Sequence, residues 1–121
     1  ESLGYILKRN IDSLANMGIY VKEIRSLGGG SKSKIWNQIK ADINQVTLET
    51  VKSVEAASLG AAILAGKATG IFDSIENAVD SMVEVKDRTE PCPENKEVYE
   101  AGYQMYQKLF KDLTECFELT R

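Results

Sequence analysis

The 121-residue sequence has no histidine, two cysteines, two prolines and one tryptophan. Without histidine the usual base of a Ser-His or Cys-His pair is missing, and so is the commonest zinc ligand. Cys92 and Cys116 lack C-x-x-C spacing, so neither a thiolate metal site nor a redox pair is expected. Two such thiols fit a reducing cytoplasm. Positive charge is not in excess: 15 Lys and Arg stand against 18 Asp and Glu, a net charge of −3. That removes the bulk electrostatic case for nucleic acid or an anionic membrane as partner. No apolar run approaches the roughly 20 residues of a membrane span, and the opening residues carry no signal-peptide pattern. What is present is the composition of an ordinary globular domain, 43% hydrophobic and 27% charged, in a chain long enough for one domain with its own core.

Hydrophobic spacing predicts a helix at once. Leu3, Ile6, Leu7, Ile11, Leu14 and Ala15 fall on one face, and Gly18 reads as the stop. A helical pattern that starts at Glu1-Ser2-Leu3, with no initiator Met, suggests a piece of a longer protein; a trimmed start is the plainer alternative. Residues 19–27 read as a strand ended by glycines. A helix is expected from Ser31 to about Asn44, with Ile35, Trp36, Ile39 and Ile43 inward. Residues 46–51 read as a short strand, Val46, Leu48 and Thr50 facing one way and Thr47, Glu49 and Val51 the other. Residues 54–67 give a helix of small side chains. Residues 74–84 give another, with Ile75, Ala78, Val79, Met82 and Val83 inward. KDRTEPCPEN reads as a loop because of its prolines and charges, and a last helix is expected from about residue 94 to 119. Strands separated by helices indicate the α/β class. Two strands make a poor sheet, so two or three strands among five helices read as the end of a larger α/β domain whose other strands lie upstream.

The stretch EIRSLGGGSKSKIWNQIKAD carries the sharpest signal. Three consecutive glycines cost backbone entropy, which a special turn or a closely approaching ligand would explain. A strand, a glycine turn and a helix start form an anion cradle, because the helix offers unpaired N–H groups and the positive end of its dipole. Ser31 is expected to cap that helix. Lys32 and Lys34 then lie in the first turn, where the dipole disfavours cations unless an anion is bound. A tight turn with two solvated lysines accounts for the same residues. The pattern is neither G-x-x-x-x-G-K-[ST] nor G-x-G-x-x-G. In EAASLGAAILAG, Ala57, Ala61, Leu64 and Ala65 share a side with Gly60 nearby. The reading preferred there is close packing against the sheet, compatible with walling a nucleotide cleft.

Tyr99, Tyr103, Tyr106, Phe110, Leu113 and Phe117 follow a four-three spacing, a seam like that of a coiled coil. Packing on the chain's own domain is the first reading of it, a self-association surface giving a homodimer the second. The seam also motivates a reading from another class, a non-enzymatic helical interaction or oligomerisation module.

LGGGSKSKIWNQIKADI followed by EAASLGAAILAGKATGIF resembles the C-terminal part of the FGGY carbohydrate kinases, most of all the xylulokinase branch. EPCPENKEVYEAGYQMYQKLFKDL resembles that branch's tail. The resemblance implies an actin-like ATPase (ribonuclease H-like) fold, of which residues 1–121 would be the C-terminal fragment of the nucleotide-binding domain. It implies transfer of the γ-phosphate of Mg2+-bound ATP to a sugar or polyol hydroxyl, a pentulose such as xylulose, in the cytoplasm. Residue by residue, Gly28 and Gly29 match the glycines that approach the nucleotide phosphates, and Gly30 continues the turn. Ser33 matches a Ser or Asn facing the adenine side, and Trp36 and Gln38 match positions that shape that pocket. The family's catalytic Asp, sugar-binding residues and N-terminal phosphate motif have no counterpart. Asp42, Glu49 and Glu55 match none of the family's acids. The chain is therefore expected to be a nucleotide half-site, inactive alone and without metal ligands. It would meet sugar only when completed by the N-terminal domain.

Overall fold

β-Branched residues flank Leu48 in the central strand, β2 (Thr47–Val51). β1 (Glu23–Ser26) runs parallel to it, with Ile24 opposite Leu48 and Arg25 opposite Glu49. β3 (Val85–Thr89) lies antiparallel on its other side, with Arg88 opposite Glu49. The sheet order is β1-β2-β3. A parallel pair needs a crossover, which α2 (Lys34–Asn44) supplies. Gln45 ends that helix in the left-handed conformation, φ 52°, so the chain turns straight into β2. The computed structural model describes residues 1–52 and 55–114. Four further helices complete the described chain: α1 (Ser2–Asn16), α3 (Ala56–Ala68), α4 (Ile75–Met82) and α5 (Lys96–Asp112).

The α/β alternation expected from the sequence is present, and the three strands lie within the two or three expected, the third being one that the sequence did not locate. Lys86–Thr89, expected as the start of a loop, belongs to β3. Charges suit an edge strand, and here they bind it in place. Glu49, buried on β2, lies 3.0 Å from Arg25 of β1 and 3.2 Å from Arg88 of β3. Pro91 and Pro93 then end the pairing, and α5 starts at Lys96 rather than near residue 94. The strand expected over residues 19–27 shortens to four residues, and Ile19 and Tyr20 are exposed.

The core lies where α1, α2 and α5 meet. Tyr5, Ile43 and Tyr103 are buried there, and Ile39, Tyr99 and Tyr106 pack against them. The Tyr103 and Tyr106 rings are stacked with centroids 6.4 Å apart, and Tyr5 is tilted against both. The Tyr103 hydroxyl donates to Asp12 Oδ2 at 2.8 Å. Burial, reinforced by that carboxylate, pushes the phenol up to about 12. The tyrosine seam is thus used inside the chain through Tyr106. Beyond it Phe110 is exposed and carries the Arg9 guanidinium on its face, 4.6 Å from the ring centre. Phe117 lies outside the described residues.

The expected inner faces hold only in part. In α1 the buried residues are Gly4 and Tyr5; Leu7, Ile11 and Ala15 are half-buried, whereas Leu3, Ile6 and Leu14 are exposed. The reason is the close approach of α1 to α2: a Cβ on Gly4 would come within 2.5 Å of Ile43 Cδ1. In α2, Ile43 is buried and Trp36 and Ile39 are half-buried as expected, whereas Ile35, in the first turn, is 78% exposed; Asn37, Ala41, Asp42 and Asn44 are buried as well. In α3 the small-residue side is exposed and Ile63 and Gly66 are buried, the latter under Phe72. In α4, Ala78 is buried as expected, but Ile75 is exposed.

Asp42 joins these parts. It is 2% exposed and has no cationic partner among the described residues. Its carboxylate accepts from Gln38 Nε2 at 2.8 Å, from the Cys92 N–H at 2.7 Å and from Asn95 Nδ2 at 2.8 Å. Three donors pay for the desolvation of one charge, and they fasten the segment after β3 onto α2. Asp42→Ala strands all three donors and is expected to lower stability by about 3 kcal/mol, with a smaller loss for Asp42→Asn. Urea unfolding of the three proteins checks this. An unchanged midpoint in the alanine variant would show that the hub does not hold the fold.

Candidate functional site

β1 delivers the chain to the carboxyl end of the parallel pair, and the glycines begin two residues later, after Leu27. Gly28 adopts φ 78°, ψ −173°, a region open essentially to glycine alone. Gly29–Lys32 then forms one turn of 3-10 helix. The Ser31 N–H and Oγ both donate to the Gly28 carbonyl, at 3.1 and 2.7 Å. Ser31 was expected to cap α2; instead it closes this turn and is buried. The cap is Ser33, whose hydroxyl accepts from the Trp36 N–H at 3.2 Å. The helix starts three residues later than expected because the chain first completes the tighter turn.

Asn37 Nδ2 donates to the Ser31 carbonyl at 2.7 Å and clamps the turn to α2. Trp36 lies half-buried beneath Gly30, its Cδ1 3.7 Å from where a Cβ would stand. Lys40 donates to Ser26 Oγ at 2.7 Å, lies over the Trp36 ring, and has its ammonium pKa lowered by burial. The turn is therefore braced from below. Above, it is open: a Cβ on Gly29 would meet no atom within 4 Å. Packing does not explain the missing side chain there. As the first residues of a 3-10 turn, Gly29 and Gly30 also present amides without an intrahelical acceptor.

Beside the turn runs a groove of about 700 Å3. One wall is Ser31, Lys32, Lys34, Asn37 and Gln38; the facing wall is the end of β2, Thr50–Lys52, with β3. Of the residues singled out in the sequence, Ser31 and Gln38 line this groove, whereas Gly28, Gly29, Gly30, Ser33 and Trp36 form and support the turn next to it. Several cations border the groove. Lys52 is paired with Glu84 at 2.6 Å, and Arg88 with Glu49. Lys32 and Lys34 make no ion pair among the described residues. Two unpaired ammonium groups, free amides and the N-terminus of α2 give this corner a positive potential suited to a phosphate-sized anion.

Sequence reasoning did not find the β3 wall, because its charges read as a loop. It also passed over Asn37 and Thr50, both 4% exposed and each with a buried oxygen that has no partner: Asn37 Oδ1 and Thr50 Oγ1. Nothing in the sequence signals an unpaired buried acceptor, which exists only once α2 and β2 face each other. Asp42 and Glu49 have structural partners instead of a free face, Asp42 in its hub and Glu49 between two arginines, whereas Glu55 is exposed. No group of three His, Cys, Asp or Glu side chains among the described residues could hold a metal ion. No described helix is long and apolar enough to cross a membrane.

Residues 1–69 match the model of the C-terminal domain of the FGGY family of carbohydrate kinases. Xylulose kinase of Staphylococcus epidermidis is 38% identical over 92% of this chain and 22% of its own length. Xylulose kinase of Rhodospirillum rubrum superposes with a TM-score of 0.80 at 22% identity, covering 96% of this chain and 24% of that one. The Plasmodium falciparum glycerol kinase solved with ADP gives a TM-score of 0.75 at 26% identity, over 93% of this chain and 22% of that one. The chain thus spans about a fifth to a quarter of the length of these relatives. With its glycine turn inside the matched segment and its helices and three strands superposing on those kinases, the chain belongs to the FGGY family of carbohydrate kinases, of actin-like ATPase fold.

Proposed function

We propose that residues 1–121 are the C-terminal part of the nucleotide-binding domain of an ATP-dependent sugar kinase, and that the glycine turn holds the nucleotide. One observation carries this reading: the open face of Gly29, where no protein atom competes for the space beside free amides. Gly28 sets the direction of the turn, Gly29 and Gly30 donate to the phosphates of ATP or ADP, and Ser31 locks the turn's shape. Ser33, at the start of α2, faces the adenine side, and Trp36 supports the turn from below. Lys32 and Lys34 add positive charge at the mouth. The relatives' names support a pentulose such as xylulose, or a related polyol, as acceptor.

Phosphoryl transfer depends more on positioning and charge neutralisation than on covalent help from the protein. This chain supplies the positioning of the nucleotide. Magnesium would reach the site with ATP; the described acids do not cluster to cage it. The base that takes the sugar proton and the sugar site belong to the opposing domain, and closure of the two excludes water. Such a kinase works in the cytoplasm, where ATP is supplied. The 121-residue chain alone is accordingly inactive, and sugar-dependent ADP release from it that survived repurification would contradict the reading.

Gly29→Val tests the turn itself. Its side chain meets no protein atom at Cβ, so the fold is kept while methyl groups fill the phosphate space. In the full-length chain, KM for ATP is expected to rise about tenfold or more, roughly 1.4 kcal/mol of lost phosphate contact, with KM for sugar unchanged. Steady-state kinetics with each substrate varied decide it. An unaltered KM for ATP in a folded variant would place the nucleotide elsewhere.

A further inference from the structure

We propose that Lys40 is a positioning residue for the kinase reaction: it holds the entry of the glycine turn at Ser26 and its floor at Trp36, and so sets the turn's affinity for phosphate without touching the ligand. The inference rests on the nucleotide reading of the turn and goes beyond it, to a residue that lies outside the turn. The turn is loose by composition. Between Ser26, the last residue of β1, and the buried Ser31 the chain has only Leu27, 47% exposed, and three glycines. Glycine loses more backbone freedom on ordering than any other residue, so this segment presents its amides in one arrangement only if both of its ends are fixed. Asn37 fixes the far end through the Ser31 carbonyl at 2.7 Å. Lys40 reaches the near end, where its ammonium donates to Ser26 Oγ at 2.7 Å.

The same ammonium lies 5.7 Å from the centre of the Trp36 ring, and Trp36 packs beneath Gly30. One side chain thus ties the strand end, the ring and the turn together. Solubility does not explain the placement. A long cationic side chain ordinarily takes its charge to water, as the exposed Lys32 and Lys34 do. Lys40 is half-buried, makes no ion pair among the described residues, and has its ammonium pKa lowered by burial. It gives up rotamer freedom and hydration for two contacts under the turn. What those contacts provide is order in advance of binding. A turn already held in place loses little freedom when phosphate arrives, and a loosened one binds more weakly. A cation retained below the turn also favours an anion above it.

Steady-state kinetics of the full-length chain, with ATP and sugar varied in turn, test this. Lys40→Met keeps a stem to pack on Trp36 and loses the donor and the charge. Its KM for ATP is expected to rise about fivefold, the scale of one lost hydrogen bond, with kcat and KM for sugar unchanged. Ser26→Ala removes only the acceptor, leaves α2 intact, and raises KM for ATP as well. The double variant is no worse than Lys40→Met alone, because the two residues act through one contact. A lysine that merely stabilised the fold would lower the melting temperature and leave KM for ATP as it was. An unaltered KM for ATP in either folded variant therefore overturns the proposal. So do effects of the two substitutions that multiply, and a rise in KM for sugar equal to that for ATP. The nucleotide reading fails separately, if Gly29→Val leaves KM for ATP unaltered.

Discussion

The carboxylate of Asp42 is the constraint on which the arrangement depends. A buried charge without a counter-ion is tolerated only when hydrogen bonds replace its hydration, and here the three donors come from α2 itself, from the Cys92 backbone and from Asn95. Gln38 is four residues from Asp42, but Cys92 and Asn95 lie 50 and 53 residues after it. Their convergence fixes where the chain returns after β3 and sets α5 against α2. Gln38 carries the constraint to the groove: its amide donates to Asp42 and to the Glu90 carbonyl at 2.9 Å, bridging helix and far wall.

Helix α2 therefore serves three purposes with three parts of its surface. Ile39 and Ile43 face the tyrosine core, Asp42 collects the C-terminal segment, and the first turns brace the glycine loop through Asn37, Trp36 and Lys40. A rigid turn with an unobstructed upper face is what phosphate binding asks for, since its amides need no rearrangement when the anion arrives. The unpaired Lys32 and Lys34 would be unfavourable at a helix N-terminus by themselves. Beside a nucleotide their position becomes favourable.

Much of this was legible in the sequence, and the rest was hidden for physical reasons. Glycines after a strand, then a helix, announced the turn, and the motif pair announced the family. The capping residue was misassigned by two positions because Ser31 and Ser33 are both good caps, and only the 3-10 geometry separates them. α1 looked amphipathic about Leu3, Ile6 and Leu14, yet the glycine at position 4 decided which side could approach α2. β3 escaped notice because edge strands are often charged, and Arg88 reveals its role only opposite Glu49. Asn37 and Thr50 were unreadable since their oxygens became unpaired through tertiary placement. The alternative of a helical interaction module rested on the tyrosine seam, which Tyr5 and Ile43 cover as far as Tyr106.

The central claim, that the glycine turn is one half of a nucleotide site, is tested most directly by titrating ADP into the 15N-labelled 121-residue chain and following its amide resonances. The turn offers a few backbone donors and a serine, without an opposing domain to exclude water and lower the local dielectric. Exposed lysines add at most about 1 kcal/mol each. The account predicts shifts at Gly29, Gly30, Ser31 and Ser33 that saturate only near millimolar ADP, a binding free energy of roughly 4 kcal/mol. Micromolar saturation would mean that the chain carries a complete site, and shifts confined to α5 would mean that the nucleotide binds away from the turn; either result contradicts the account.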